Sequence, residues 1–263
     1  MKTAIIVPAR YGSTRFPGKP LALLAGKPML QHVVEIGLAA ANGQPDTAVI
    51  VTSDDDRILT LAQSLGVQAI KTAPECPTGS DRVMAAVQQM PEKPEIIVNL
   101  QGDAPLCPPD FVTAVIRAFQ EHPGTQVATV ATQLSWPQLD SLRSQKQTSP
   151  FSGTTLVRNA AGQGVWFSKN IIPAIRKEDR TTPHSPILRH IGLYGYTLPA
   201  LQKFLTWPEG TYEKLEGLEQ LRFLENGTPI HVSLVDYKGR PSMSGVDSPE
   251  DLARAEKLLA ETA

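Results

Sequence analysis

The first predicted strand and the loop after it lie at the start of the chain. Residues 4–7 form an apolar run, Ala4-Ile5-Ile6-Val7. The loop that follows has the sequence Pro8-Ala9-Arg10-Tyr11-Gly12-Ser13-Thr14-Arg15-Phe16-Pro17-Gly18-Lys19-Pro20-Leu21. A short continuous apolar run is consistent with a strand buried in a parallel sheet. In open α/β sheets, ligands bind in the loops beyond the carboxyl ends of such strands.

The rest of the first half repeats this pattern. Apolar runs predict further strands at 48–52, 95–100 and 127–131. Helices are expected between them, at 28–41, 54–65, 80–90 and 108–121. The alternation predicts an α/β fold with a Rossmann-like, mostly parallel sheet flanked by helices. The loops 8–27, 52–56 and 101–107 should then share the ligand-binding edge.

The pattern changes after residue 132. The polar stretch 133–150 is expected to be a loop or mobile lid, and 154–158 with 164–168 a β-hairpin. Further expectations are strands at 191–196 and 230–234 and helices at 213–225 and 248–261. We therefore predict a nucleotide-binding α/β domain, 1–132 with 198–263, and a smaller β-rich inserted subdomain, 133–197.

Composition narrows the class of protein. The 263 residues carry 25 Lys and Arg against 26 Asp and Glu, a net charge of −1. A chain this close to neutral is not expected to bind nucleic acid in bulk, so any polyanionic ligand needs a local cluster of cations. No run approaches the roughly 20 apolar residues of a membrane helix. Cys76 and Cys107 are too few for a disulfide framework. We expect a soluble cytoplasmic protein.

The first loop supplies such a cluster of cations. Its spacing fits neither the dinucleotide-binding glycine motif nor the P-loop. Gly12 and Gly18 allow close backbone approach, Ser13 and Thr14 offer donors, and three residues offer positive charge: Arg10, Arg15 and Lys19. Three cations with a divalent metal nearly balance the roughly four negative charges of a nucleoside triphosphate. The alternative is a solvated basic loop.

This segment resembles the signature of the 3-deoxy-manno-octulosonate cytidylyltransferases, or CMP-Kdo synthetases, a family of sugar nucleotidyltransferases that act on CTP. Similar blocks follow in the same order at 101–105, 188–196, 213–222 and 245–252. The resemblance implies transfer of CMP from CTP to 3-deoxy-manno-octulosonate (Kdo), with release of pyrophosphate, for lipopolysaccharide synthesis. It also implies Mg²⁺ as cofactor and a homodimer built through the second domain.

On the nucleotide side, the resemblance implies catalytic roles for Arg10, Lys19, Asp103 and Asp247, the two aspartates as metal ligands. Nucleotide contacts are implied for Arg10, Gly12, Ser13, Arg15, Lys19, Thr78, Gly79, Ser80, Arg82 and Gln101. An aspartate just past a strand end also suits a hard divalent cation on chemical grounds. The alternatives are a turn role for Asp103, a helix-entry role for Asp247 and a helix cap at Ser80. The acids at 54–56 are interpreted as structural, at the positive end of a helix.

On the sugar side, the resemblance implies contacts from Lys169, His190, Tyr194, Glu216 and Gln220. Helical periodicity puts Glu213, Glu216 and Gln220 on one face, with Glu219 outside or paired with Arg222. Without the resemblance, His190 could equally be a hydrogen-bonded core residue, and the helix face could simply be solvated.

Two departures from the family affect the sugar pocket. Lys169 stands where the family usually has arginine, and 148–152 lacks the usual Asn-Pro pattern. Because lysine cannot form a bidentate clamp on a carboxylate, 8-amino-Kdo or another acidic sugar stays open as the substrate. A non-catalytic nucleotide-binding regulator is a different class of function, and the presence of both Asp103 and Asp247 disfavours it.

Overall fold

The computed structural model describes residues 2–12, 15–243 and 245–261. Its first half alternates strands and helices as predicted. The elements are β1 (Thr3–Pro8), β2 (Leu23–Leu24), β3 (Lys27–Pro28), α1 (Met29–Ala41), β4 (Thr47–Ser53), α2 (Asp56–Ser64), β5 (Gln68–Lys71), α3 (Gly79–Gln89), β6 (Ile96–Asn99), α4 (Pro109–Glu121) and β7 (Val127–Ser135). Only β5 and the short β2–β3 pair lie outside the expected strands of this half.

The second half adds a hairpin and a long strand to the same sheet. Its elements are α5 (Trp136–Thr148), β8 (Thr155–Arg158), β9 (Gly164–Ser168), β10 (His184–Thr197), α6 (Leu198–Phe204), α7 (Thr211–Glu216), α8 (Leu221–Glu225), β11 (Ile230–Leu234) and α9 (Pro249–Ala260). Among the described residues, no helix is long and apolar enough to cross a membrane.

The central sheet has the order β11-β7-β10-β6-β1-β4-β5. Its β6-β1-β4-β5 segment is parallel, β11 is parallel to β7, and β10 runs antiparallel between β7 and β6. The predicted mostly parallel sheet is therefore confirmed. Because β1, β4 and β6 are parallel, the loops after them emerge at one edge, as the sequence led us to expect.

Apolar side chains bury both faces of this sheet. Ile5, Val7 and Val98 pack under α1 and α4 on one face, and Ile6 and Ile97 pack under α3 and α6 on the other. Continuous apolar strands are the pattern of a sheet covered on both sides, which is why these runs do not alternate.

The strand β10 belongs to two parts of the fold. Its C-terminal part pairs with β6 in the central sheet, while Leu188 and Arg189 pair with β8 of the hairpin. The inserted subdomain proposed for 133–197 stays a prediction, and this strand is where it would join the α/β domain. The hairpin itself forms where it was expected.

The expectation of a loop or lid at 133–150 is wrong. Residues 136–148 form α5, and Ser135 caps it by accepting a hydrogen bond from the backbone N–H of Gln138, whose side chain bonds back to Ser135. Trp136, Leu139 and Leu142 are buried. The helix is stabilised by this capping box and by burial of one narrow apolar face, since most of its other residues are polar.

The single helix expected at 213–225 is also wrong. The chain forms α7 and α8, and Gly217 between them has a φ of 62°. This left-handed conformation ends a helix and is open to glycine at no steric cost. The interruption changes the directions of the side chains after it, with consequences for the predicted sugar contacts.

Candidate active site

Together with Arg82, the five charged side chains that are predicted to contact phosphate or metal, at the two loops and near the C-terminus, line one cavity of about 240 Å³. It lies at the carboxyl ends of β1 and β6. The five are Arg10, Arg15, Lys19, Asp103 and Asp247. The sequence-based hypothesis required this convergence, and the structure brings all five together.

Lys19 is at the centre of the cluster. Its Nζ lies 2.9 Å from Oδ2 of Asp103 and 3.2 Å from Oδ1 of Asp247, and its side chain is only 12% exposed. Arg15 lies 3.4 Å from the other oxygen of Asp247. The ammonium therefore links two carboxylates, one on the loop after β6 and one just before α9.

Two glycines make this geometry possible. Gly18 has a φ of 74° and begins the turn that presents Lys19, with its N–H donating to the carbonyl of Tyr11 at 2.9 Å. At Gly102, a Cβ atom would lie 2.6 Å from the carbonyl oxygen of Pro8. Only glycine allows the loop after β6 to approach the loop after β1 so closely.

The C-terminal part of the chain is joined to the same point by the backbone. The N–H of Val246 donates to the carbonyl of Asp103 at 2.8 Å. Val246 is itself buried against Leu24, Met29 and Ala255, so α9 packs beside the first loop. Ser248 caps α9, and Asp247 is left to face the cavity.

Only some of the other residues predicted to contact the nucleotide line this cavity. Thr78, Gly79, Arg82 and Gln101 line the cavity. Gly12 is exposed on the first loop, and Ser13 lies outside the described residues. Ser80 is buried and lines a second cavity instead.

The helix cap expected at Ser80 is wrong. Thr78 caps α3, and its side chain accepts from the N–H of Asp81, which completes a capping box. Gly79 and Ser80 are thus the first helical residues, and the positive end of α3 faces the nucleotide cavity.

Arg82 is held inside the protein. It donates to Oγ1 of Thr72 at 2.8 Å and lies 3.1 Å from Asp54. Asp55 caps α2 by accepting from the N–H of Arg57. The structural interpretation of the acids at 54–56 agrees with these contacts.

A second cavity of about 430 Å³ adjoins the first, and Gln101 and Asp103 line both. Four of the five residues predicted to contact the sugar line this cavity: Lys169, His190, Tyr194 and Gln220. These four residues therefore lie together in a cavity that adjoins the cation-rich one, and their contact with a sugar stays a prediction.

Glu216 is the exception. Its carboxylate accepts from Oγ of Ser168 and from the N–H of Lys169, both at 2.7 Å, so it holds the end of β9. The expected common face of Glu213, Glu216 and Gln220 does not form because the helix breaks at Gly217. Glu213 pairs with Arg222 at 2.6 Å, and Glu219, expected outside, lines the cavity.

His190 is held by two hydroxyl groups. Its Nε2 lies 2.9 Å from the hydroxyl of Tyr194 and 3.1 Å from Oγ1 of Thr129. The ring lies deep in the fold, although the cavity leaves part of its surface accessible, and this burial lowers the pKa of His190 to about 3. Burial also raises the pKa of Tyr194 well above its ordinary value. The pair is therefore uncharged near neutral pH.

Two polar groups of this cavity are buried without a partner in the described part of the chain, and sequence reasoning missed one of them, Asn99. Among the described residues, no hydrogen-bond partner contacts Oδ1 of Asn99 or Nε2 of Gln220, whose exposed fractions are 3% and 6%. A buried polar atom without a partner costs about 1–3 kcal/mol unless water or a ligand satisfies it. An asparagine at the end of the apolar β6 was the available signal for Asn99. Arg189, noted only within a motif, also lines the cavity.

The carboxylates suit a divalent cation that brings other ligands with it. Within the described ranges, no group of three or more His, Cys, Asp or Glu side chains forms a complete metal site. Mg²⁺ is commonly held by one or two carboxylates together with substrate phosphates and water. Asp103 and Asp247, which face one point from two sides, fit that pattern.

Comparison with known proteins agrees with this arrangement. A family model described as cytidylyltransferase matches residues 4–232. The chain is 42% identical over 260 residues to the 3-deoxy-manno-octulosonate cytidylyltransferase of Maricaulis maris, covering 99% of this chain and 98% of that protein. It is 37% identical to the 8-amino-3,8-dideoxy-manno-octulosonate cytidylyltransferase of Shewanella baltica, with 99% of each covered.

A solved structure is similar over the full length. It is that of CMP:2-keto-3-deoxy-manno-octonic acid synthetase complexed with CTP, at 32% identity and a TM-score of 0.83, with each chain covered completely. With the family model and full-length relatives in agreement, this chain belongs to the cytidylyltransferase family, whose members are nucleotidyltransferases.

Proposed function

We propose that this chain transfers CMP from CTP to Kdo, giving CMP-Kdo and pyrophosphate. The observation that carries the proposal is the pair of adjoining cavities that share Asp103 and Gln101. One is rich in cations and the other in groups that bind sugars, so a phosphate in the first can meet a hydroxyl from the second. The names of the full-length relatives support the same reaction.

CTP occupies the first cavity in this proposal. Arg10, Arg15 and Lys19 bind the triphosphate, the arginines through planar paired contacts and the lysine as a point charge. The N-terminus of α3 at Gly79 adds backbone donors to the same cavity.

Asp103 and Asp247 hold Mg²⁺ in this proposal. When bound, the ion neutralises phosphate charge and stabilises the oxygens that attack and leave. The convergence of the two carboxylates on Lys19 supports this assignment, because it shows that their oxygens can approach a common cation.

The acidic eight-carbon sugar occupies the second cavity. Lys169 and Arg189 supply positive charge for its carboxylate, and Tyr194, Asn99 and Gln220 supply hydrogen-bonding groups for its hydroxyls. The unpartnered atoms of Asn99 and Gln220 support this role, since a bound polyol would satisfy them.

The reaction is a displacement at the α-phosphorus. The anomeric hydroxyl oxygen of the sugar forms a bond to this phosphorus, and its proton passes to solvent. The bond from phosphorus to the bridging oxygen breaks, and pyrophosphate leaves with that bonding electron pair. Catalysis comes from holding the two substrates in line and from cations that stabilise the charge on the phosphates. His190 is not suited to be the base, because its Nε2 is already bonded to Tyr194 and Thr129.

The second candidate is transfer to 8-amino-Kdo. The similarity to the Shewanella baltica protein favours it, and the cavity has two carboxylates, Asp103 and Glu219, beside the cations of Lys169 and Arg189. Pyrophosphate release should be measured with CTP, Mg²⁺ and Kdo, 8-amino-Kdo or N-acetylneuraminate, and then with ATP, GTP and UTP. We expect the highest kcat/KM with CTP and Kdo. Turnover with neuraminate alone would contradict the proposal.

The cellular location, the oligomeric state and the use of the product are part of the same proposal. We propose a cytoplasmic homodimer whose product enters lipopolysaccharide synthesis. Cys76 and Cys107 are both free thiols, which is compatible with a reducing compartment. Light scattering during size-exclusion chromatography tests the dimer, and a monomer across micromolar concentrations would contradict it.

A further inference from the structure

Lys146 lies near the C-terminus of α5, outside the residues that line the sugar cavity. Its Nζ contacts four backbone carbonyl oxygens: those of Pro150 at 3.2 Å, Ser152 at 2.5 Å, Gly153 at 3.0 Å and Lys169 at 2.5 Å. Three of these belong to the loop after α5, and the fourth to the end of β9. The lysine therefore joins two chain segments that no strand pairing connects at this point.

Both segments form part of the wall of the sugar cavity. Gly153 and the following Thr154 line it from one side, and Lys169 lines it from the other. Lys146 thus joins the two segments that border the sugar cavity, although it does not line the cavity itself.

Lys169 is held on both sides of its backbone. Its N–H donates to Glu216 at 2.7 Å, and its carbonyl accepts from Lys146 at 2.5 Å. Its own ammonium has no hydrogen bond or ion pair within the described part of the chain. Burial lowers the pKa of the Lys169 ammonium, which the charge of Glu216 opposes in part. A cation held in this way is oriented toward the cavity without being neutralised by a carboxylate.

We propose that Lys146 is a positioning residue for the acceptor sugar: it fixes the carbonyl of Lys169 against the 150–153 loop and so sets the width of the sugar cavity and the direction of the Lys169 side chain. The proposal rests on the proposed function for the identity of the sugar, but the clamp itself is a property of the chain.

The geometry explains why a positively charged donor on a long side chain is needed. An ammonium group carries three protons on a flexible stem and can serve several carbonyls that face one point. Hydrogen bonds from a charged donor are also stronger than neutral ones. Without this donor, the carbonyls of Gly153 and Lys169 lose a charged partner at the rim of the cavity.

Lys146→Met removes the ammonium and keeps the length of the side chain. Lys93→Met is the matched control, because Lys93 also donates to two backbone carbonyls, at 2.8 and 2.6 Å, but neither it nor its two partners line either cavity. We expect the KM for Kdo to rise at least about tenfold in Lys146→Met, as loss of a charged hydrogen bond implies, with the KM for CTP within about twofold. Lys93→Met should change neither. Lys146→Arg, which keeps charge and donors, should recover most of the loss.

A second measurement does not depend on the substrate. Amide hydrogen exchange in peptides covering 149–156 and 167–172 should accelerate in Lys146→Met and not in Lys93→Met, because local opening follows loss of the clamp. If the wild type does not use Kdo, the proposed function fails while the exchange result still decides the role of Lys146.

Four results would overturn the proposal. They are an unchanged KM for Kdo in folded Lys146→Met, an equal rise in the KM for CTP, unchanged exchange in both peptides, and no recovery in Lys146→Arg. Failure of both Lys146→Met and Lys146→Gln to fold would give Lys146 a general structural role and would overturn it as well.

Discussion

The Nζ atom of Lys19 lies 2.9 Å from Oδ2 of Asp103, although 84 positions separate the two residues in the sequence. Lys19 lies on the loop after β1, and Asp103 lies on the loop after β6. Asp103 also lines both cavities, so this ion pair stands where the nucleotide and sugar would meet. The contact follows from parallel pairing of β1 and β6, which puts both loops at the same edge.

Removal of the Lys19 charge should affect catalysis far more than folding. Lys19→Met removes the cation that contacts both Asp103 and Asp247 and leaves only the arginines to bind the triphosphate, so we expect kcat/KM to fall by about 10²–10³. Lys27→Met is the control, because Lys27 pairs with Glu35 at an exposed position. Steady-state pyrophosphate release measures both, and similar activity in the two variants would contradict the role of Lys19.

Gly102→Ala tests the close approach of the two loops. Its Cβ would lie 2.6 Å from the Pro8 carbonyl, so the backbone must shift, and we expect a loss of about 1–3 kcal/mol in the free energy of unfolding. CTP affinity should fall as well, since Arg10 follows Pro8 closely. At Gly12 a Cβ meets nothing within 4 Å, so Gly12→Ala should retain wild-type stability. Equal urea midpoints for wild type and Gly102→Ala would be the contrary result.

The ion pair between Glu213 and Arg222 joins α7 to α8, on either side of residues 218–220, which line the second cavity. Two nitrogens of Arg222 lie 2.6 and 2.7 Å from the Glu213 carboxylate, whose side chain is 6% exposed. Arg222→Met leaves that carboxylate buried and unpaired, which should cost about 3–5 kcal/mol of unfolding free energy. Arg254→Met at the exposed pair with Asp251 should cost less than about 1 kcal/mol. Denaturant unfolding compares the two, and equal effects would show that burial does not govern this pair.

His190 should make stability depend on pH. Its pKa is lowered from 6.5 to about 3 by burial, so between these values the unfolded chain binds a proton that the folded chain does not. Stability contributed by neutral His190 is therefore present above pH 6.5 and is lost as pH falls toward 3, by about 1.4 kcal/mol per pH unit.

The variant His190→Asn isolates this contribution. Urea unfolding at pH 7 and pH 5 should show the wild type losing up to about 2 kcal/mol more than the variant. The comparison cancels other groups that titrate in this range, such as His231, whose pKa burial also lowers. Identical losses in the two proteins would mean that His190 is protonated in the folded state.

The alternating half of the fold could be predicted because its signals are local. Apolar runs fix β1, β4, β6 and β7, and parallel pairing then places the loops at one edge. Helix α5 was missed because its buried residues, Trp136, Leu139 and Leu142, are few among polar neighbours. Its capping box, Ser135 with Gln138, was visible in the sequence. Gly217 was also a visible signal for the end of a helix. The prediction of one helix gave more weight to the 3.6-residue periodicity that continues across it.

The residues of the candidate site also differ in whether the sequence could predict their place. Arg10, Arg15, Lys19, Asp103 and Asp247 could be predicted because they sit in motifs at strand and helix ends. Glu216 could not, because its hydrogen bonds to Ser168 and Lys169 depend on where β9 ends relative to a helix 47 or more positions away. Lys146 belongs to no recognisable sequence motif. Its role depends on four carbonyl groups that only the folded chain brings together.

The metal-binding role of Asp103 is tested most directly by the rate of pyrophosphate release by Asp103→Asn with CTP, Kdo and Mg²⁺. The exposed Asp46→Asn is the control, and thermal unfolding of both variants verifies the fold. Because Asp103 lines both cavities and binds the metal in this proposal, we expect Asp103→Asn to release pyrophosphate at least about 10²-fold more slowly than the wild type. Asp46→Asn should be unaffected. Turnover by folded Asp103→Asn at the wild-type rate would contradict the account.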